Sequence, residues 1–358
     1  QVEINTSIHP TAGQAVSELA EHHRRIARTL AQMPSKETLW MSSNPPQILG
    51  EDDIPVAQFY GDSSNKTAYR HYLSNKYGRY KMAFSGIHFN YSFSGDLLRL
   101  NYEIETGINI KKVVVTLTAA SPLLDGSYYD SKRHGITVFS GMSSLRCSEL
   151  GYWNFFVPTL DYSNIERYAD SIEHYVKNGL ISAPSELYYP IRLKPRGKNK
   201  LETLRTSGIN HIELRPIDLN PLAEYGIDDR DVKFMQLLLV YLAGINHEPL
   251  DAKGQVQSIQ NYKSAAHFDT NNTKIMYPNG RTLSVADATA ELLNSIEWFF
   301  SHIATGQTER INEILAYQRK KIEEPDYYNY AHIISREYAD GFADKVLAES
   351  IKNRNKNV

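Results

Sequence analysis

The chain has 358 residues, 41% of them hydrophobic and 22% charged, with a formal net charge of -2 at pH 7. That length can bury a core of normal size in one large domain or two smaller ones, and the near-neutral balance argues against a nucleic-acid binder, which would carry a basic face. No run of about 18 apolar residues occurs, which argues against a membrane span, and the single cysteine, Cys147, excludes an intramolecular disulfide and cysteine-rich zinc sites, so a reducing cytosol is the simplest location.

The opening QVEINTSIHP has no basic n-region and no apolar h-region, so it is not a signal peptide. It reads as the end of a strand entering a loop, and a first residue Gln1 inside a strand is what a trimmed or processed chain would show. Residues 13–33 place Val16, Leu19, His23, Ile26, Leu30 and Met33 three or four apart, predicting an amphipathic helix capped by Thr11. A polar, Pro-rich loop follows in SSNPPQILGEDDIP. Residues 66–80 read as a second helix.

In MAFSGIHFNYSF, 82–93, the apolar Ile87, Phe89, Tyr91 and Phe93 alternate with His88, Asn90 and Ser92. That is a strand with one polar face, on which His88 and Asn90 point the same way. Within 96–118, IKKVVVTLT has strand propensity. Residues 163–178 are helical by spacing. In INHIELRPI, 209–217, Ile212 and Leu214 share one face while His211, Glu213 and Arg215 share the other; Asp218, Asn220 and Pro221 end the strand. The remainder is predicted helical over 229–243, 284–303, 307–321 and 330–352, with Pro325 separating the last two. Helices interleaved with antiparallel-looking strands and followed by more helices indicate an α+β fold. No linker stands out, so 1–358 reads as one domain, with a sheet and active-site part over 1–243 and a mainly helical tail over 244–358.

Three polar clusters can carry chemistry: Glu3 in QVEINTS, His88 with Asn90 in SGIHFNYS, and Glu213 with Arg215 in IELRPIDLNP. A magnesium–nucleotide site needs hard oxygen ligands, sometimes an imidazole, and cations for the phosphates. Glu3, His88 and Glu213 are candidates for the first, Arg70 and Arg215 for the second. Each also has an ordinary reading: a solvated carboxylate, a hydrogen-bonded structural histidine, a surface ion pair of little energy. The glycine loop GxxxxGK, a strand-borne GxGxxG, GxSxG and HExxH are all missing. Arg146 beside Cys147 would lower the thiol pKa in principle, but no histidine is placed near it by sequence, which speaks against a nucleophile.

Together these clusters resemble the glutamate–cysteine ligase family, in the form of the bacterial monofunctional enzymes and of the ligase half of bifunctional glutathione synthases. The matching stretches, in family order, are YRHYLSNKYGRY, SGIHFNYSF, SSLRCSELGYWN, SELYYPIRLK and INHIELRPIDLNPLAEYGID. The resemblance runs from Gln1 to about Ala243 and more loosely into the tail. It implies a curved, mostly antiparallel sheet forming a funnel with helices outside, related to glutamine synthetase. It implies a cytoplasmic enzyme that uses ATP and Mg²⁺ to join the γ-carboxyl of L-glutamate to the amine of L-cysteine, through a γ-glutamyl phosphate. By resemblance Glu3, His88 and Glu213 are metal and nucleotide residues, and Arg70 and Arg215 hold the transferred phosphoryl group. Arg146, Tyr152 and Tyr188 grip the cysteine carboxylate, with Asn90 added to the substrate-binding set.

The chain departs from the family pattern in three places. The family's first strand, with an E-x-E-x-x-R-like motif, and its second strand precede the segment that matches Gln1 onward, so an N-terminally incomplete fold is expected. Met82 stands where the family usually has a glutamine near the glutamate substrate, and a thioether lacks the amide donors. TLTAASP, 116–122, lacks a family aromatic and glycine, and by resemblance this region is helical against its local propensity. Two other functions stand beside the ligase: a γ-glutamyl ligase for another small amine, and a non-catalytic remnant that keeps the pocket as a binding module.

Overall fold

The computed structural model describes residues 2–35, 37–92, 110–245, 250–303 and 306–358. The first helix, Ala12–Gln32, starts where the cap predicts: the Thr11 hydroxyl accepts from the Gln14 amide. Its apolar stripe packs Val16 and Leu19 on the main core. The second helix is Asn65–Tyr77 rather than 66–80. It stops at Gly78, whose φ of +82° is left-handed and suits glycine, and the chain restarts as the short helix Arg79–Met82.

Seven short strands lie among the described residues: β1 (Ile87–Tyr91), β2 (Leu123–Asp125), β3 (Thr137–Phe139), β4 (Ile191–Pro195), β5 (Ile209–Ile217), β6 (Lys274–Met276) and β7 (Thr282–Ser284). They form a three-stranded sheet in the order β1-β5-β4 and two two-stranded ribbons, β2-β3 and β6-β7, all paired antiparallel. The α+β class and antiparallel pairing follow the expectation. The strand expected over 82–93 is shorter: Met82 closes a helical turn, and Phe93 lies outside the described residues.

The alternation places Ile87, Phe89, Tyr91, Ile191, Leu193, Ile212 and Leu214 on the inner face of the large sheet, where all belong to or pack on the main core. The helix behind that face is Ile110–Thr118, made from the run whose local propensity favours a strand. Val113, Val114, Val115 and Leu117 are each no more than 1% exposed, packed between β5 and three further helices. Burying such a side chain is worth about 1.5–3 kcal/mol, well above the ~0.7 kcal/mol at most that a β-branched residue costs in a helix. The Thr116 and Thr118 hydroxyls turn back onto Lys112 O and Val114 O, so the helix buries no unsatisfied hydroxyl.

The other predicted helices are observed as Ile165–Lys177, Asp229–Gly244, Val285–Ser301 and Thr308–Glu323. The one expected over 330–352 is two, Tyr330–Glu337 and Phe342–Lys356, broken at Gly341 with φ of +135°. The helix Ala252–Ser264 and strands β2, β3, β4, β6 and β7 were not expected. The main core joins side chains from Val113 to Leu315, so the helices after residue 243 share it with the sheet. No described helix is long and apolar enough to cross a membrane.

Candidate active site

The outer face of the large sheet is polar. Residues directly opposite one another in antiparallel strands share a face, so Asn90, Glu213 and Arg192 make a row across β1, β5 and β4, with Lys194 opposite His211. Arg215 lies two residues along β5 from Glu213 and therefore on the same side. The β1–β5 register shifts between Ile87 and Phe89, an irregularity of the kind that re-aims a side chain. Here it falls on His88, whose Nδ1 lies 3.1 Å from Glu213 Oε1.

Glu213 is the hub. Its Oε1 also accepts from Arg215 Nη1 at 3.2 Å, and its Oε2 lies 3.0 Å from Lys194 Nζ. Burial pushes the Glu213 carboxyl up, but the His88 hydrogen bond and the charges of Arg215 and Lys194 outweigh it and hold the group well below the usual carboxylate range. His211 is shifted down by burial and by the charge of Lys194. Two buried atoms on this face, Glu213 Oε2 and Arg215 Nε, have no directed hydrogen-bond partner among the described residues. Unpaired buried polar groups are costly, and a ligand with both anionic and cationic contacts would satisfy them. Sequence reasoning found His88, Asn90, Glu213 and Arg215, which the fold does bring together. It missed Arg192 and Lys194, although the alternation of Ile191 and Leu193 with two cations was the available signal.

Arg146 lies beneath this face. It is 6% exposed, with Nη1 donating to Arg215 O at 3.0 Å, Nη2 to Ile217 O at 2.7 Å and Nε to Asp218 Oδ1 at 3.3 Å. Three of its five N–H donors are thus engaged with the protein and fix the end of β5, and each terminal nitrogen keeps a second N–H. Asp218, 1% exposed, also accepts from Ala120 N, Ser121 Oγ and Ser144 Oγ, tying β5 to the loops before β2 and after β3. Gly86 makes room for the guanidinium: a Cβ there would stand 2.5 Å from Arg146 Cζ. Cys147 is 1% exposed, and burial pushes its thiol up despite the opposing pull of Arg146. The lowering that the neighbouring arginine suggested is overridden by desolvation.

Tyr152 and Tyr188 meet edge to face at 4.6 Å, and the Tyr188 ring lies 5.9 Å from Arg215 Cζ. Met82 joins Tyr69, Tyr77, Tyr152 and Tyr188 in one cluster, so its thioether sits in apolar surroundings that suit it. This wall is anchored by Glu186, 2% exposed, which accepts from Lys76 Nζ at 2.6 Å, Tyr77 Oη at 2.7 Å and Ser182 N at 2.6 Å. Asn154 links its backbone to Tyr77 and accepts from the Tyr188 amide. Arg70 is exposed on the Asn65–Tyr77 helix, and Glu3 is exposed in the extended segment before the first helix. Neither forms an ion pair or hydrogen bond among the described residues.

No three His, Cys, Asp or Glu side chains come together as a metal site among the described residues, so Glu3 does not complete one with His88 and Glu213. The donor set does fit a magnesium ion that brings phosphate and water oxygens of its own, since such an ion commonly takes only one or two carboxylates from a protein. Glu213, whose carboxyl is held ionised on this face, is the carboxylate placed for it.

Comparison with known proteins gives a consistent result. A family model described as glutamate–cysteine ligase matches residues 1–109 and 107–265. The glutathione biosynthesis bifunctional protein of Clostridium perfringens is 29% identical, over 96% of this chain and 49% of its own length. The chain spans about half the length of the curated relatives it matches. Among solved structures, the glutamate–cysteine ligase of Francisella tularensis in complex with AMP superposes with a TM-score of 0.84 at 21% identity, covering 98% of this chain and 79% of that one. A bifunctional glutathione synthetase from Pasteurella multocida gives 0.74 at 22% identity, covering 96% and 46%. At these identities the structural likeness bears on the fold.

Proposed function

The chain belongs to the glutamate–cysteine ligase family, and on that premise we propose that it carries the site for ATP-dependent ligation of the glutamate γ-carboxylate to the cysteine amine, the first step of glutathione biosynthesis. The observation that supports this most directly is the buried Arg215 Nε without an acceptor, next to a carboxylate held ionised by three basic neighbours. That arrangement suits a phosphate group and a divalent cation arriving together.

In this reading a γ-carboxylate oxygen of glutamate attacks the γ-phosphorus of ATP, and the bond to the β-phosphate breaks with its electron pair leaving on ADP. The cysteine amine then attacks the acyl carbon, and inorganic phosphate departs with the carboxylate oxygen. The protein supplies position and charge rather than a covalent intermediate. Arg215 donates to the transferring phosphoryl group, and the exposed Arg70 meets the same anion. Magnesium, when bound, neutralises phosphate charge, with Glu213 and His88 as the protein donors. Glu3 belongs to this set by resemblance to the family. Tyr152 and Tyr188, whose hydroxyls make no hydrogen bond among the described residues, face the acceptor carboxylate, and Asn90, in the row with Glu213, joins the substrate-binding set by resemblance. Arg146 fixes the β5 backbone at Arg215 and Ile217, and by resemblance its remaining N–H groups grip the cysteine carboxylate with the two tyrosines. The chain is read as one catalytic domain over 1–358.

The test is isotopic. Glutamate labelled with ¹⁸O in its γ-carboxyl should pass one labelled oxygen to inorganic phosphate for each γ-glutamylcysteine formed. Label appearing in AMP instead would overturn the γ-glutamyl phosphate, and product formed only with other small amines would move the function to a different γ-glutamyl ligase.

A further inference from the structure

Lys194 was not among the residues that the motifs singled out, yet it stands on the same polar face, on β4 opposite His211. Its side chain is only 16% exposed, and its ammonium lies 3.0 Å from Glu213 Oε2. That contact is electrostatic rather than a directed hydrogen bond, because Oε2 has no hydrogen-bond donor. An ammonium has three N–H donors, so Lys194 keeps at least two to offer while Glu213 fixes where the ammonium sits. Arg192, in the same row as Glu213, turns one terminal nitrogen, Nη2, to the carbonyls of Leu187 and Ser185. Among the described residues, the fixed charges of the face are thus three cations, Arg192, Lys194 and Arg215, against one carboxylate, Glu213. That leaves an excess of two positive charges in a half-buried setting, where screening by water is weak. Lysine binds phosphate as a compact point charge, which complements the planar fork of a neighbouring arginine.

We propose that Lys194 is a further catalytic residue of this site, oriented by Glu213 and donating to phosphate oxygens of the bound nucleoside triphosphate beside Arg215. The identity of the ligand rests on the ligase reading above; the geometry that selects Lys194 does not. A lysine that acted only by neutralising Glu213 would change ATP binding through the magnesium ion, and its loss would be felt only when magnesium is present. A phosphate-contacting lysine discriminates between ligands with and without phosphates.

The experiment is calorimetric titration of the full chain with ATP and, separately, with adenosine, each with and without MgCl₂, for the parent protein and for Lys194→Met and Lys194→Arg. Loss of a charge-assisted contact should weaken ATP binding by about tenfold or more, leave adenosine affinity unchanged, and be largely restored by arginine. Lys194→Gln, which keeps a donor for the neighbouring carboxylate, serves as the second variant should the methionine protein not fold, and the same selective loss is expected. Equal ATP affinity in parent and variants, parallel weakening of ATP and adenosine, or a loss of ATP affinity seen only in MgCl₂ would overturn the assignment of Lys194 alone. Failure of the parent itself to bind ATP would overturn the nucleotide reading on which the assignment rests.

Discussion

Replacing Glu186 by glutamine tests how the tyrosine wall is held beside the polar sheet face. The carboxylate side chain is fully inaccessible, and Lys76 opposite is 19% exposed. One oxygen accepts from Lys76 and Tyr77, the other from the Ser182 amide at 2.6 Å and its hydroxyl at 2.7 Å. An amide retains one acceptor but turns an NH₂ group against either Lys76 and Tyr77 or the Ser182 N–H. Breaking a buried ion pair from one side costs about 3–5 kcal/mol. Lys76 can regain some water, so about 2–4 kcal/mol is expected here. The pH dependence carries the sign. Burial opposes ionisation of Glu186, but its hydrogen bonds, with that of Lys76 foremost, lower the folded pKa below the ordinary 4.5. Between the two values the unfolded chain binds more protons than the folded one. The stabilisation is therefore complete above the unfolded pKa and declines as pH falls through the folded value. Urea unfolding of parent and Glu186→Gln should show the full gap at pH 7 and a narrowing gap below about pH 4.5. A gap of unchanged size across that range would refute the claim that the ionised carboxylate does the holding.

Further outcomes follow from the same geometry. Arg215→Ala should lower turnover by about 10²–10³-fold with an unchanged far-UV circular dichroism spectrum; normal turnover would remove Arg215 from the phosphoryl group. Tyr188→Phe should raise the cysteine KM several-fold and leave the ATP KM alone, as read from steady-state kinetics in both substrates. The reverse pattern would place Tyr188 in the nucleotide site. Gly86→Ala should destabilise by about 1–3 kcal/mol by forcing the pinned Arg146 guanidinium aside. Gly13→Ala, in a helix with nothing within 4 Å of the new Cβ, should instead stabilise by about 0.5–1 kcal/mol; denaturant midpoints of the two variants distinguish these signs.

The polar face was legible in the sequence where its strands alternate strictly. SGIHFNYSF and INHIELRPI put His88, Asn90, Glu213 and Arg215 on one side by period alone, and the fold pairs the two strands. β4 was harder, because IRLKP is short and bounded by Pro190 and Pro195, yet it delivers Arg192 and Lys194. The helix Ile110–Thr118 contradicts its local propensity because packing on every side outweighs it. The anchoring of Arg146 was hidden because its partners, the carbonyls of Arg215 and Ile217 and the carboxylate of Asp218, lie about 70 residues away. Glu186 was hidden for the same reason: SELYYP gives no sign that a lysine 110 residues earlier will meet its carboxylate. Contacts of that range are set by the fold and leave no periodicity to read.

The central claim is tested most directly by ADP release from ATP and Mg²⁺ by this chain, with L-glutamate and L-cysteine each present or withheld. The account predicts release only when both amino acids are present, one ADP for each γ-glutamylcysteine, and its loss in Arg215→Ala. ADP release that ignores either amino acid, or no release with cysteine or any other small amine, would contradict it and leave a binding fold in place of a ligase.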